Sequence, residues 1–408
     1  MSLWVIIASC VLLQVNPDRI DLQGLVLDEA GNPVSGARVD ITTAAPRVGD
    51  GIFCPSCYRD CAKFTRADGV GRFTLRSLDP SLKFRLLISS PGKKAVLTKL
   101  IDPLTDKAGI TLKDFPKDLP AERLVQGVVV DEDDIPLEGA LVAPSGAKTA
   151  ERRWHGSVDV EPAVCDAKGR FTLFLPEKYE AVDVEVSADG YAGEAAKLLR
   201  PRSEAHKIVV PSGTRVVARV VHDGKGVPSV RIAVVQTFRS PEGFFIKAVE
   251  QVSDEQGKLT FHCLPASQEY AIFTVVGAGP QNLVLTTKKF LAHGNGQERD
   301  LGDLKLTRPL TLAGKVELPA GTTLPPNARL AFDRNPAWDL ISIPIAGDGS
   351  FFLAGIPPET YTVRLAIPGM TLDTSRLGYQ VVEAGSFGIR LRESVSDLRI
   401  PLVIGGQP

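Results

Sequence analysis

The sequence has little of what metal and nucleophile chemistry draws on: five histidines, six cysteines and two methionines in 408 residues. The histidines (His155, His206, His222, His262, His293) are scattered, so each reads as a lone surface side chain. No H-E-x-x-H, G-x-S-x-G or G-x-x-x-x-G-K-[ST] occurs, which leaves no motif for a zinc hydrolase, a nucleophile elbow or a phosphate loop. An excess of one charge is missing too: 47 basic and 48 acidic residues give a formal net charge of −1, with no Lys/Arg run. Net charge therefore supplies no reason to expect nucleic acid or an anionic membrane patch as partner. Long linkers are absent as well, because the 37 glycines and 30 prolines are spread along the chain at turn-like places.

What is present begins with MSLWVIIASCVLLQVNPDR. Leu3 to Leu13 form an uncharged run of eleven, too short to span a bilayer as a helix. The run fits the apolar part of a secretory signal, although a basic leader is missing. Ile7-Ala8-Ser9-Cys10 also resembles a bacterial lipobox, in which Cys10 is lipidated. The competing reading is a buried first strand ended by Asn16-Pro17-Asp18. Residues 1–19 are expected to be a signal peptide or lipid-anchor segment, and the protein extracytoplasmic, secreted or anchored to a bacterial envelope.

A chain of this length exceeds one core and calls for about two to four domains. Four copies of one pattern supply them. Copy one begins LQGLVLDEAGNPVSGARVDI (22–41) and continues with RADGVGRFTLRSL (66–78) and FRLLISSPG (84–92). Copy two has VQGVVVDEDDIPLEGALVAP (125–144), CDAKGRFTLFLP (165–176) and VDVEVSADGY (182–191). Copies three and four repeat the order from Ala218 and Gly314. Large apolar residues alternate in each DxxG segment: Phe73 and Leu75; Phe171, Leu173 and Leu175; Leu259, Phe261 and Cys263; Phe351 and Leu353. Period two predicts half-buried antiparallel strands packed on a second sheet, with Cys263 as a core filler. Asp68-x-x-Gly71, Asp166-x-x-Gly169 and Asp254-x-x-Gly257 carry turn chemistry; copy four keeps Gly349 but has Ala346 for the Asp. No amphipathic helical stretch intervenes. The expected fold is all-β: a tandem array of four Ig-like or transthyretin-like β-sandwich modules, over 20–120, 121–212, 213–308 and 309–408.

The run G-x-V-x-D-x-x-G-x-P-x-x-G-A, followed by D-x-x-G-x-F and a strand ending in Gly, resembles the carboxypeptidase regulatory-like domain. Gly24, Pro33, Gly36 and Ala37 carry it in copy one, and Gly127, Pro136, Gly139 and Ala140 in copy two. Copies three and four keep Pro228 or Pro325/Pro326 without the Gly-Ala. The resemblance implies a seven-stranded transthyretin-like sandwich, close in fold to carbohydrate-binding-like modules, and brings no catalytic residue with it.

Cys54, Cys57 and Cys61 lie in GIFCPSCYRDC. Haem attachment needs C-x-x-C-H, and Tyr58 stands in the His position. Redox catalysis needs the pair at a helix start, and this stretch joins strands. Zinc wants four ligands; three are here, with Cys165, Asp60 or a distant His as the fourth. From Gly24 to Asp68 is 44 residues, against 39 and 36 in the next two copies, so the cysteines sit in an insertion. A disulfide staple is the first expectation, a structural zinc the second, and no metal or other cofactor is assigned.

Asp131-Glu132-Asp133-Asp134 occupies the hairpin that Asp28-Glu29-Ala30-Gly31 occupies in copy one. A solvated turn accounts for it before a calcium site does. The connection leading to each DxxG hairpin carries aromatics: Tyr58, Trp154, Phe244 with Phe245, and Trp338. On exposed loops they would be ligand-binding aromatics that stack on a sugar or anchor a protein; alternatively they open the third strand and pack on the core. The expected function is a non-catalytic, exported or surface-anchored protein that binds a protein or glycan or acts as an envelope scaffold, a monomeric rod touching the membrane only through its N-terminal segment. A carbohydrate-binding protein and an accessory subunit of a secreted peptidase or glycosidase are the alternatives.

Overall fold

The computed structural model describes residues 19–47 and 59–405, apart from 117, 203, 239–242, 247–248, 277–281, 326–327, 335–336, 338, 368 and 384. Those residues form strands, turns and short 3-10 turns, and contain no α-helix. The sheets fall into four pairs, one pair per repeat, and each pair encloses its own apolar cluster.

One topology recurs. The first strand of each repeat (Ile20–Asp28, Leu124–Val130, Thr214–His222, Leu310–Glu317) pairs antiparallel with the DxxG strand. On its other side it pairs parallel with the last strand of the repeat: Ala108–Leu112, His206–Val209, Glu298–Lys305 or Val395–Ile404. The second sheet is built from the strands between, for example Arg38–Pro46, Phe64–Arg66, Leu82–Ser89 and Val96–Leu97 in the first module.

The recurring Gly and Phe of the sequence motif meet across the first sheet. Gly24 opposes Phe73, Gly127 opposes Phe171 and Gly314 opposes Phe351. The ring lies flat over the glycine: a Cβ on Gly127 would stand 2.3 Å from Phe171 Cε1 and 2.8 Å from the His206 carbonyl oxygen. The third module has Ala218 opposite Leu259 instead, a larger residue matched by a smaller partner. The adjoining parallel strand is bulged between the partners of Val217 and Arg219.

The DxxG turns close as the Asp chemistry requires. Asp68, Asp166 and Asp254 each accept two backbone N–H groups through Oδ1, from the residues two and four ahead. In the fourth module Asp348 takes over this work, accepting the Ser350 N–H at 3.0 Å. The final glycine of each turn has positive φ, +78° at Gly71 and +88° at Gly349, a conformation that a side chain would strain.

Alternation holds through Phe73 and Leu75, Phe171 and Leu173, Leu259 and Phe261, and Phe351 and Leu353, all buried. It breaks at Cys263, which is only half-buried and not a core filler. Cys263 adopts φ +58°, the register shifts by one, and Leu264 takes the core position at 0% exposure. The same step occurs at Ser77 (φ +55°) before Leu78, and at Gly355 (φ +77°) before Ile356. A period-two reading fails there because a bulge adds one residue. Tyr270 and Tyr361, both fully buried, then lock the following turn by donating their hydroxyls to the carbonyls of Pro265 (2.9 Å) and Pro357 (2.7 Å).

Candidate functional site

Trp154 lies on the short strand Arg153–His155, which pairs with Leu141–Lys148. Its ring packs on the second core, 5.7 Å from the Tyr179 ring, and Nε1 points to the Ser157 carbonyl at 3.4 Å. The side chain is half-buried, with the Arg152 guanidinium 5.1 Å above its ring. Of the two readings of this aromatic, the strand-opening one describes its position. The strand is clamped by Asp183, a buried carboxylate that pairs with Arg153 at 3.0 Å and accepts the Leu198 N–H at 2.7 Å. The clue to it in the sequence is an acid in the apolar run Val182-Asp183-Val184.

Phe244 and Phe245 point to different modules. Phe244 covers Gly193 of the second module: a Cβ on that glycine would lie 2.4 Å from the Phe244 ring. Phe245 packs with Ala233, Val235, Ala271, Phe273 and Val275 of the third module and Ala337 of the fourth. Tyr58 and Trp338 lie outside the described residues, as do Cys10, Cys54 and Cys57.

The apolar cluster around Phe245 is one half of a seam between the third and fourth modules; the other half is polar. Arg334 is fully buried, donates Nη2 to the Thr274 carbonyl at 2.9 Å, and stacks 5.1 Å from the Phe273 ring centroid. Its Nη1 stands 3.9 Å from Glu359 Oε1. Glu359 in turn accepts the Thr287 N–H at 2.6 Å and hydroxyl at 2.8 Å. A buried charge is tolerable only with such partners, since taking it from water costs several kcal/mol. Phe273, Thr274 and Thr287 belong to one side of the seam and Arg334 and Glu359 to the other, so the network exists only when the modules dock.

The acidic hairpin joins the seam between the second and third modules through Glu132. Asp131 Oδ1 accepts the N–H groups of Asp133 and Ile135, and Oδ2 accepts the Tyr191 hydroxyl at 3.0 Å. Those bonds, the Ile135 N–H foremost, hold its carboxyl below the usual aspartate range. Glu132 accepts both the hydroxyl (2.7 Å) and the N–H (3.0 Å) of Ser212 in the connecting segment. The Ser212 bonds, with a further one from Asn295, lower its pKa. The turn residues thus do more than face solvent. Glu132 ties its module to the connection and to Asn295 of the next. Between the first and second modules the tie is ionic: Asp189 receives Arg66 at 3.1 Å and Arg38 at 3.5 Å.

The remaining cysteine candidates separate. Cys61 is buried in the first core, in the 3-10 turn Arg59–Ala62. Cys165 is fully buried in the second core, where burial pushes its thiol up to about 12, so it is not brought to the Cys61 loop as a fourth ligand. Asp60 accepts the Asp79 N–H at 2.9 Å and pairs with Arg19 and with Lys63, anchoring the turn. Among the described residues, no group of three or more His, Cys, Asp or Glu side chains is placed to hold a metal ion. No helix among them is long and apolar enough to cross a membrane.

No family model matches the chain, and no curated protein matches it. Among solved structures it is similar to the TIE protein of Bacillus anthracis, at 12% identity over 93% of this chain and 72% of that one, with a TM-score of 0.21. It is also similar to a streptococcal ancillary pilin (13% identity, 68% and 98% covered, TM-score 0.22) and to BcpA, the major pilin subunit of Bacillus cereus (10%, 71% and 99%, 0.20). Superpositions this loose carry no argument about function; the β-sandwich assignment rests on the sheets and cores themselves.

Proposed function

We propose that the chain is a non-catalytic scaffold of the cell envelope, a series of β-sandwich modules held in fixed register that presents loop and strand-edge surfaces to a partner. The carrying observation is the seam between the third and fourth modules. There a fully buried arginine, a buried carboxylate and an apolar cluster are shared between domains. Inter-domain contacts within a chain are ordinarily polar and yielding, and a desolvated ion pair is costly to build into one that has to move. Its presence favours a member whose task depends on geometry.

The apolar run Leu3–Leu13 and the lipobox-like Ile7-Ala8-Ser9-Cys10 support export with attachment at Cys10. The Gly–Phe pairs, the DxxG turns and the parallel last strand support a carboxypeptidase regulatory-like ancestry for the modules. The carbohydrate-binding reading has less behind it, since Trp154, Phe244 and Phe245 are placed against the core and the seams. Fractionation of the producing cells, with the intact mass of the recovered protein, tests the proposal. Envelope location, loss of the first nine residues and a lipid-sized gain at Cys10 are expected. A full-length chain in the cytosol, carrying zinc until denatured, would overturn it.

A further inference from the structure

The first module carries a basic cleft between two sheet edges. Strands Phe64–Arg66 and Arg72–Leu78 are each the last strand of their sheet, and an open cleft of about 660 Å³ lies between them. Lys63, Arg66, Arg72 and Arg76 line it, against a single acid, Asp68, together with Phe64. Asp68 is occupied by its own turn. Phe64 is 42% exposed, with Arg38 stacked 4.2 Å from its ring centroid. Arg72 and Arg76 are exposed and have no acidic partner among the described residues.

A cation recurs at the place of Arg72 in the second and third modules, but no Lys or Arg stands at the places of Arg76 and Arg66. The outward positions held here by Arg72, Thr74 and Arg76 are Arg170, Thr172 and Phe174 in the second module, Lys258, Thr260 and His262 in the third, and Ser350, Phe352 and Ala354 in the fourth. The place of Arg66 opposite the second strand is taken by Val164, Val252 and Pro344. A carboxylate already sits at one end of the set: Asp189 of the second module, bound by Arg66 and Arg38.

We infer that this cleft is a binding site for an extended acidic polypeptide. Arg72 and Arg76 stand four residues apart on one face of a strand, about 13 Å at ~3.3 Å per residue. An added strand with acids at every fourth residue presents carboxylates at that same interval. Arginine is the side chain suited to receive them, through paired N–H donors. The Arg72 N–H and C=O and the Arg76 C=O are already bonded to Asp68 and Lys63, but elsewhere the two edge strands offer main-chain groups to an incoming strand, which favours a peptide over an anionic glycan, and Phe64 gives its apolar residues a wall. This inference is separate from the scaffold reading, which stands whether or not the cleft has a ligand.

The test is fluorescence anisotropy on the full chain, with a labelled peptide of threonine and valine carrying glutamate at every fourth position. Binding is expected to weaken with salt, and to weaken about tenfold or more in Arg72→Gln/Arg76→Gln, the exposed charges supplying most of the attraction. Arg170→Gln, on the matching strand of the second module, is expected to leave it unchanged. Circular dichroism confirms that the exposed substitutions leave the fold intact, and Phe64→Ala gives an independent loss of affinity. Equal binding of the same peptide with glutamine in place of glutamate, no effect of the arginine pair, no binding at low salt, or binding of polygalacturonate in place of the peptide would each overturn the inference.

Discussion

Gly127→Ala adds one methyl group where the second module leaves no space for it. The new Cβ would lie 2.3 and 2.4 Å from Phe171 ring atoms and 2.8 Å from the His206 carbonyl oxygen. The ring is 3% exposed, so it moves only by disturbing its neighbours, and such overpacking costs about 1–3 kcal/mol. Phe171→Leu alone leaves a void and costs about 1–2 kcal/mol in lost transfer and cavity terms. Together the two changes recreate the Ala218–Leu259 pair that the third module uses. The double variant is therefore expected to be more stable than the sum of the singles by about 1 kcal/mol, a coupling typical of touching side chains. Rescue should be partial, because the His206 carbonyl oxygen remains 2.8 Å from the new Cβ. Urea denaturation followed by Trp154 fluorescence, in a Trp4→Phe/Trp338→Phe background, reports this module alone. Additive costs, or a neutral Gly127→Ala, would refute the claim that the motif glycine exists to seat the ring.

At the seam of the third and fourth modules, Glu359→Ala removes a buried partner and is expected to cost about 3 kcal/mol in urea denaturation, with a change under about 0.5 kcal/mol counting against the network. Cys263→Gly relieves a left-handed residue and should raise the stability of the third module by about 1 kcal/mol; a lower midpoint would show that the thiol packs more than its half-burial suggests. The seam at Glu132 should be sensitive to acid. Its folded pKa is lowered from 4.5, so its contribution is present above that value and lost as pH falls through the lower folded one. Proteolysis at the Pro211-Ser212-Gly213 connection should accelerate over that window, and Glu132→Gln should abolish the pH dependence; an unchanged profile in the variant would assign the effect to other groups.

Much of each module was legible because its determinants are local. Alternation at Phe171 and Leu173 gives the buried face, and Asp166 and Gly169 give the turn, with no need of the rest of the chain. The parity reading failed at Cys263, because a bulge is a backbone event that its residue type does not announce. The seams were illegible for another reason: Arg334, Thr274 and Glu359 are far apart in sequence and acquire meaning only when two domains dock. One signal was available. Ile232-Ala233-Val234-Val235 and Tyr270-Ala271-Ile272-Phe273 are continuous apolar runs, and strands apolar on both faces are covered on both. The aromatics at 244 and 245 stand out in the sequence, but exposure and docking look alike until the neighbouring module is in place.

The scaffold role requires that the modules hold fixed positions. Spin labels placed on exposed sites of the third and fourth modules, read by pulsed dipolar spectroscopy on the full chain, measure this directly. A single narrow distance distribution that broadens in Glu359→Ala is the result the buried network predicts. A broad distribution in the unaltered chain, insensitive to Glu359, would contradict it.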